Sequence, residues 1–294
     1  MSAVKKNFLK FFSNFRKKLK YYKRHPLSML LFLAVHFAAL ATVAVLITIV
    51  VYVLARGIPH ISPELFAWEY TSDNLSMMPA IINTVTMVIL SLLMAVPIGI
   101  CSAIYLTEYA KRGSRLVKIV SVTTETLSGI PSIVYGIFGY LLFNQALGWG
   151  YSFLGGAITL AIMILPLIMR TTQEALKSVP LSFREASFGL GAGRLRTTFK
   201  IILPSAMSGI LSGIILSIGR IVGETAALIY TAGTVTGIPK NVMGSGRTLA
   251  IHMYALFSEG LHIDEAYATG VVLLILVLGI NALSSFIAKK LEKK

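Results

Sequence analysis

Residues Glu185–Pro204 read E-A-S-F-G-L-G-A-G-R-L-R-T-T-F-K-I-I-L-P, a polar and basic segment between two strongly apolar ones. Its glycines form G-x-G-x-G, but Arg194 breaks the dinucleotide-binding pattern G-x-G-x-x-G, which also requires a preceding strand. We expect a short helix near residues 181–188 and then a turn that the glycines allow. The segment is therefore predicted to be a solvent-exposed loop that joins two membrane segments.

The composition excludes an ordinary soluble protein. Of the 294 residues, 55% are hydrophobic and only 13% are charged, and the mean hydropathy is +0.77. Soluble domains carry about 25% charged residues. Several apolar stretches are about 20 residues or longer, the length that a helix needs to cross a bilayer. The sequence therefore predicts an all-α membrane protein with several crossings.

The basic residues indicate the topology. The net charge is +15, and all but four of the 27 Lys and Arg residues fall in four segments: 1–27, 108–118, 170–200 and 289–294. Basic residues concentrate in cytoplasmic loops, so all four segments are predicted to be cytoplasmic. The excess of positive charge thus reflects membrane topology and does not indicate nucleic-acid binding. The exceptions are Arg56, Arg220, Lys240 and Arg247.

Six transmembrane helices agree with two basic termini on the same, cytoplasmic side. The apolar run at residues 27–55 is too long for a signal peptide, so we expect an uncleaved first helix. The basic segment before it is either an amphipathic helix on anionic lipid or a simple topological anchor. The predicted helices cover residues 27–54, 78–108 with Pro97 inside, 116–147 with Pro131 inside, 152–176 with Pro166 inside, 204–230, and 266–287.

The fifth helix carries a small-residue face and two charges. Ser205, Gly209, Gly213 and Ser217 recur every four residues, a pattern typical of close helix packing. Arg220 and Glu224 follow on nearly the same face, and Arg220 lies roughly 24 Å beyond Pro204 at about 1.5 Å per residue. A charge at such depth costs about 2.5–3.5 kcal/mol and usually marks a transport path. The alternative is a structural ion pair between the two side chains.

Two further membrane positions are candidate path residues. Arg170 precedes Glu174 by one turn at the inner end of the fourth helix, where a basic side chain can also simply extend to the membrane surface. Glu125 lies about 14 Å into the third helix, at about 1.5 Å per residue, and could counter an arginine of this or a partner subunit. The predicted path residues are therefore Arg220, Glu224, Arg170 and Glu125.

The basic loop resembles the cytoplasmic EAA loop of ABC-importer permeases, in which E-A-A is followed by G and then by I-x-L-P. Ser187 replaces the second alanine, a change between small residues; the matching residues are Glu185, Ala186, Gly191, Ile201, Leu203 and Pro204. In that family the loop docks on an ATPase subunit and transmits nucleotide-driven motion. The resemblance assigns ATPase coupling to Arg184, Glu185, Ala186 and Gly191.

Two membrane segments narrow the resemblance to phosphate-importer permeases of the PstA type. Residues 128–136 read S-G-I-P-S-I-V-Y-G and residues 220–227 read R-I-V-G-E-T-A-A. The resemblance implies a type I (MetI-like) importer fold with a five-helix core at 78–288 and a peripheral helix at 27–55. In it, residues 1–26 and 289–294 are cytoplasmic, 181–204 form the coupling loop and 231–265 an outer loop.

The resemblance also implies the partners and the location. The expected assembly is a heterodimer with a PstC-type permease, two PstB-type ATPases and an external PstS-type phosphate-binding protein, in the bacterial inner membrane. The chain lacks the P-loop pattern, so we expect no enzyme activity and no cofactor in it, with ATP and Mg²⁺ bound by the partner ATPase. Neither an H-E-x-x-H motif nor a cysteine cluster suggests a metal site, since Cys101 is the single cysteine.

Two other functions remain open from the sequence. The chain could be a permease for another oxyanion, such as molybdate or sulfate, because the binding protein usually sets specificity. It could also be a non-transporting membrane scaffold or a phosphate-signalling partner, which would keep the coupling loop but would not need Arg220 and Glu224.

Overall fold

The computed structural model describes residues 26–111 and 113–292, and the ordered elements within these ranges are all helical. The chain divides into two compact units, residues 1–55 and 56–294. The predicted roles of the basic N-terminal segment fall on residues 1–25, which lie outside the described ranges.

Eleven α-helices follow one another in the described part of the chain, and short π-helical segments extend three of them. The π-helical segments are Tyr105–Tyr109 after α2, Tyr140–Ala146 after α4 and Thr198–Ile202 after α7. The α-helices are α1 Pro26–Gly57, α2 Met78–Ile104, α3 Arg115–Ser128, α4 Ser132–Gly139, α5 Phe153–Ser178, α6 Leu181–Gly189, α7 Arg194–Thr197, α8 Leu203–Val222, α9 Ala226–Thr231, α10 Leu249–Glu259 and α11 Ile263–Glu292.

The helices account for the predicted membrane crossings. Within the described residues, five helical stretches are long and apolar enough to span a bilayer: Leu27–His60, Met78–Tyr109, Phe153–Ser178, Arg194–Val222 and Ile263–Phe286. A sixth crossing results if the bent pair Val117–Ser128 and Ser132–Ala146 is counted as one span. The all-α membrane architecture is thus as predicted, with five to six helical spans in the described part of the chain.

Helix α1, taken by itself, has the surface of a lipid-facing helix. It runs for 32 residues without an acidic residue in its first turn, and large apolar side chains such as Leu30, Phe37 and Leu46 are exposed on it. Apolar side chains on all sides are what a helix surrounded by lipid requires. Its position at the periphery of the fold stays a prediction.

The second unit is built on a row of helices packed side by side. Helix α2 packs on α5, α5 on α8, and α8 on α11. The small-residue face of α8 packs on α5 as predicted at Gly209 and Gly213, because a Cβ atom at Gly209 would lie 2.6 Å from Ala175 Cβ and one at Gly213 would meet the Thr171 side chain of α5. Pro97 and Pro166 lie inside α2 and α5, which continue past them.

The third predicted helix is not continuous, which corrects its predicted extent of 116–147. Helix α3 ends at Ser128, α4 begins at Ser132, and their axes differ by 103°. Pro131 has extended backbone angles (φ −59°, ψ 143°) and precedes the first residue of α4. A proline cannot donate a backbone hydrogen bond and disfavours helical geometry in the residue before it, here Ile130. The chain therefore turns sharply within the segment that was predicted as one helix.

The fifth predicted helix is also interrupted, which corrects its predicted extent of 204–230. Helix α8 ends at Val222, and α9 begins at Ala226. Gly223 closes α8, and Thr225 has non-helical backbone angles (φ −120°, ψ −54°). No proline marks this break. It places Arg220 at the end of one helix and Glu224 in the connection to the next.

Candidate functional site

The two helix breaks come together, and with them the two segments that carry the phosphate-permease resemblance. Helix α4 packs on α9, and the contact is close at Gly136. A Cβ atom at Gly136 would lie 2.8 Å from Ala227 Cα and 3.0 Å from Ala227 O. Only a glycine lets the two backbones approach this closely. Interrupted membrane helices of this kind line ion and substrate sites in transporters.

Arg220 lies at this junction, in the last turn of α8, where it is half-buried. The carboxyl end of a helix carries a partial negative charge that favours a cation in the last turn. The guanidinium also acts electrostatically on Tyr135 of α4, whose hydroxyl donates a hydrogen bond to Leu127 O at 2.8 Å. Tyr135 is buried and was not predicted as a site residue. Tyr135 lies four residues after Pro131, in the first helix after the break.

Glu224 has a different partner from the predicted one. Its side chain is 8% exposed, and its Oε1 accepts a hydrogen bond from the Ala227 backbone N–H at 3.0 Å. The carboxylate thereby satisfies one of the free N–H groups at the start of α9. Within the described residues, the salt bridges do not include an Arg220–Glu224 pair, which was the structural alternative to a role in the path. The break between α8 and α9 removes the regular helical spacing that this alternative requires.

Arg170 and Glu125, the other two predicted path residues, line one cavity. Its volume is about 230 Å³, and its walls are polar side chains of α3 and α5. Arg170 Nε and Glu174 Oε1 are 3.0 Å apart, as the i, i+4 spacing predicted, with both side chains about two-thirds exposed. The cavity is lined by Ser121, Thr124, Glu125, Ser128, Arg170, Gln173, Glu174 and Lys177. It contains two acidic and two basic side chains, and neither Arg220 nor Glu224 contributes to it.

The predicted coupling loop consists of α6, a glycine turn and the short helix α7. Gly191 has a φ of +82°, the left-handed conformation that closes helix α6, and Gly191 N donates to Phe188 O at 2.9 Å. Ser187, which replaces the usual alanine, is buried, and its hydroxyl lies 2.8 Å from Thr197 Oγ1 of α7. The serine that replaces the usual alanine therefore links α6 to α7 within the loop.

The coupling residues divide into an exposed group and an internal one. Glu185 and Ala186 are exposed on α6, beside large apolar side chains that also face outwards. Those apolar residues are Leu181, Phe183, Phe188 and Leu190. Arg184 instead turns inwards, where its Nη2 lies 2.7 Å from Glu108 Oε1. The sequence did not suggest this pair, because 76 residues separate its members.

A second buried polar cluster lies at the opposite end of α2 from Glu108. Arg247 is 4% exposed, and its Cζ lies 4.7 Å from the centre of the Tyr70 ring. Asn83 Nδ2 donates to Arg247 O at 3.1 Å. Burial of the His252 ring, followed by the positive charge of Arg247, lowers the pKa of His252 from its ordinary value of 6.5 to about 3. His252 is therefore neutral in the folded protein at neutral pH.

The sequence of residues 95–294 matches the family of binding-protein-dependent transport system inner membrane components. The chain belongs to this family. Members of the family are membrane permease subunits of ABC transporters, which are generally not enzymes. In this permease, the residues predicted for the path and the coupling loop all fall within the matched range.

Named relatives agree with this assignment, and a solved structure agrees with the fold. The permease is 36% identical over 257 residues to the phosphate transport system permease protein PstA of Pasteurella multocida, covering 85% of this chain and 90% of the relative. It is 32% identical over 274 residues to the probable ABC transporter permease protein YqgI of Bacillus subtilis, covering 85% and 91%. A chain of a bacterial alginate ABC transporter has the same fold, with a TM-score of 0.67, 17% identity, and 93% and 98% coverage.

Proposed function

We propose that this chain is a permease subunit of an ATP-driven inorganic phosphate importer and that Arg220 contacts the anion in transit. The observation that carries the proposal is the meeting of two interrupted helices at Arg220. The residues around both breaks are those that resemble phosphate-importer permeases, and relatives named as phosphate transport permeases cover most of the chain.

The chemistry of Arg220 suits a tetrahedral oxyanion. A guanidinium stays charged and presents several N–H donors in a planar fork that matches phosphate oxygens. Within the described residues no carboxylate is paired with Arg220, so its donors are available to a ligand. Transport also requires that the anion leave. The cavity around Arg170 and Glu125, with balanced charges, would give only weak and transient contacts on the way to the cytoplasm.

A second membrane subunit is needed to complete the path. Glu125 is exposed on α3 although it belongs to a membrane-crossing segment, and Arg170 is about two-thirds exposed. A charge facing lipid at mid-membrane would cost about 2.5–3.5 kcal/mol on insertion scales. Both side chains therefore face a water-filled space, and we propose that a related permease of the PstC type closes this space.

The coupling loop is the part of this chain that contacts the ATPase. The exposed face of α6, with Glu185, Ala186 and the apolar side chains beside them, would dock on one of two PstB-type ATPases, which bind ATP and Mg²⁺. The loop and both termini would then be cytoplasmic. A PstS-type binding protein would deliver phosphate to the opposite face, and ATP-driven closure of the ATPases would open the path towards it.

The test is uptake of radiolabelled phosphate into proteoliposomes that contain this chain, the partner permease and the ATPases, with the phosphate-binding protein outside. We expect ATP-dependent uptake that unlabelled phosphate suppresses and that sulfate and molybdate leave unchanged. If sulfate or molybdate is taken up instead with its own binding protein, the substrate is another oxyanion. Hydrolysis of ATP without uptake of any of the three would support a scaffold or signalling function.

A further inference from the structure

Arg184 is held by four hydrogen bonds inside the protein. Its Nη2 donates to Glu108 Oε1 at 2.7 Å and to Leu176 O at 3.0 Å. Its Nη1 donates to Val179 O at 3.0 Å, and its Nε lies 3.4 Å from Glu108 Oε2. One guanidinium thus contacts three elements: α6, which carries it, the end of α5, and the π-helical segment after α2.

The ion pair between Arg184 and Glu108 is largely shielded from water. The side chains of Arg184 and Glu108 are only 16% and 13% exposed. An ion pair that is shielded from water is little weakened by salt, and removing one partner leaves the other as an uncompensated buried charge. An apolar cluster with Ile104 of α2, Leu176 of α5 and Ile202 before α8 lies in the same part of the fold. The base of the coupling loop is therefore fixed to the membrane helices by both charge and apolar packing.

The face of the loop that points away from Arg184 is exposed to solvent. Glu185, the next residue, is exposed, and Leu190 at the turn is 90% exposed. A partner can therefore bind to the exposed face of α6 while the hydrogen bonds of Arg184 hold the other face against the protein. Without Arg184, helix α6 would lose its side-chain hydrogen bonds to the end of α5, and the backbone at residues 179–180 would act as a hinge between the two helices.

We propose that Arg184 is a positioning residue that acts within this chain and not on the ATPase. Together with Glu108 it fastens the coupling loop to α2 and α5, so that a displacement of the loop moves the cytoplasmic end of α2 instead of bending the loop. This inference rests on the proposed function, because it concerns how the stroke of an ATPase reaches the permease helices.

The functional test is the amount of phosphate taken up per ATP hydrolysed by the reconstituted complex with its binding protein. For Arg184→Gln and for Glu108→Gln we expect ATP hydrolysis to continue while uptake per ATP falls at least about tenfold. The charge-reversed pair Arg184→Glu with Glu108→Arg should restore a large part of this ratio. Arg115→Gln is the matched control, because it removes the same charge from an exposed position outside the coupling loop. It should leave the ratio unchanged.

Single variants with wild-type uptake per ATP would overturn the proposal. If they do not assemble, a distance measurement on the otherwise native complex decides. Spin labels at Ser182→Cys and Tyr105→Cys, both exposed positions, report the separation of the loop from α2 in a Cys101→Ser background. We expect the same distance in the nucleotide-free and ATP-trapped states. A change in this distance would refute the proposal that Arg184 and Glu108 fasten the loop to α2. Absence of phosphate uptake in the wild type would refute the proposed function but would leave this distance test intact.

Discussion

Substitutions of Glu224 can separate its structural hydrogen bond from any role of its charge in transport. Replacing it with alanine removes the acceptor of the Ala227 N–H and leaves that buried donor unsatisfied, whereas Glu224→Gln keeps an amide oxygen at the same position. An orphaned buried donor costs about 1–3 kcal/mol. We therefore expect Glu224→Ala to lower the free energy of unfolding by about 1–3 kcal/mol, and Glu224→Gln by less than about 1 kcal/mol.

The two variants should also differ in transport. Because a carboxylate beside the path repels an anion, its charge is not needed to attract phosphate, so Glu224→Gln should retain most of the uptake. Glu224→Ala should lose uptake together with the geometry of the break. The assays are the thermal midpoint of the complex, at roughly 2–4 °C per kcal/mol for a domain of 150–250 residues, and phosphate uptake. Loss of uptake in Glu224→Gln with an unchanged midpoint would show that the negative charge itself works in the path.

Three further perturbations follow from the structure. Gly136→Val should destabilise the complex by about 1–3 kcal/mol, because the valine side chain would collide with the Ala227 backbone. The control is Gly219→Ala, where the added Cβ meets open space and the thermal midpoint should not change. Gly191→Ala should cost about 1–2 kcal/mol, because φ is +82° there, and equal stability of the two proteins would contradict this. His252→Gln should reduce the decrease in the free energy of unfolding that occurs as the pH is lowered from neutral.

The sign of the His252 effect follows from its lowered pKa. The folded protein holds the ring neutral down to about pH 3, whereas the unfolded chain takes up a proton near pH 6.5. The free energy of unfolding therefore falls as the pH decreases below about 6.5, by at most about 1.4 kcal/mol per pH unit, until the folded pKa is reached. Unfolding midpoints between pH 7 and 4.5 check this, and an acid limb that His252→Gln leaves unchanged would contradict it.

Several elements could be predicted from the sequence because their signals are local. The helices around Pro97 and Pro166 are long apolar runs, and bilayer thickness sets their length whatever they pack against. The packing face with Gly209 and Gly213 follows from the four-residue period. The turn at Gly191 is encoded by a residue that tolerates positive φ.

The candidate site was less predictable because it depends on contacts distant in sequence. Prolines at 97, 131 and 166 look alike in the chain, yet of the three only Pro131 lies within a break, where the helix axis turns by 103°. Glycine is frequent inside membrane helices, so Gly223 alone did not predict a break, and Arg220 and Glu224 were expected on one continuous helix face. Tyr135 and Glu108 acquire their roles only through partners on other helices.

The central claim is that Arg220 contacts the anion while ATP is hydrolysed elsewhere, and one reconstitution tests it most directly. Phosphate uptake and ATP hydrolysis are measured side by side for the wild type and Arg220→Gln, in complexes of equal composition. Loss of charged hydrogen bonds of about 1.5–3 kcal/mol corresponds to a roughly 10- to 150-fold decrease in uptake. We expect that decrease with ATP hydrolysis retained. Uptake by Arg220→Gln at the wild-type rate, in a fully assembled complex, would contradict the account.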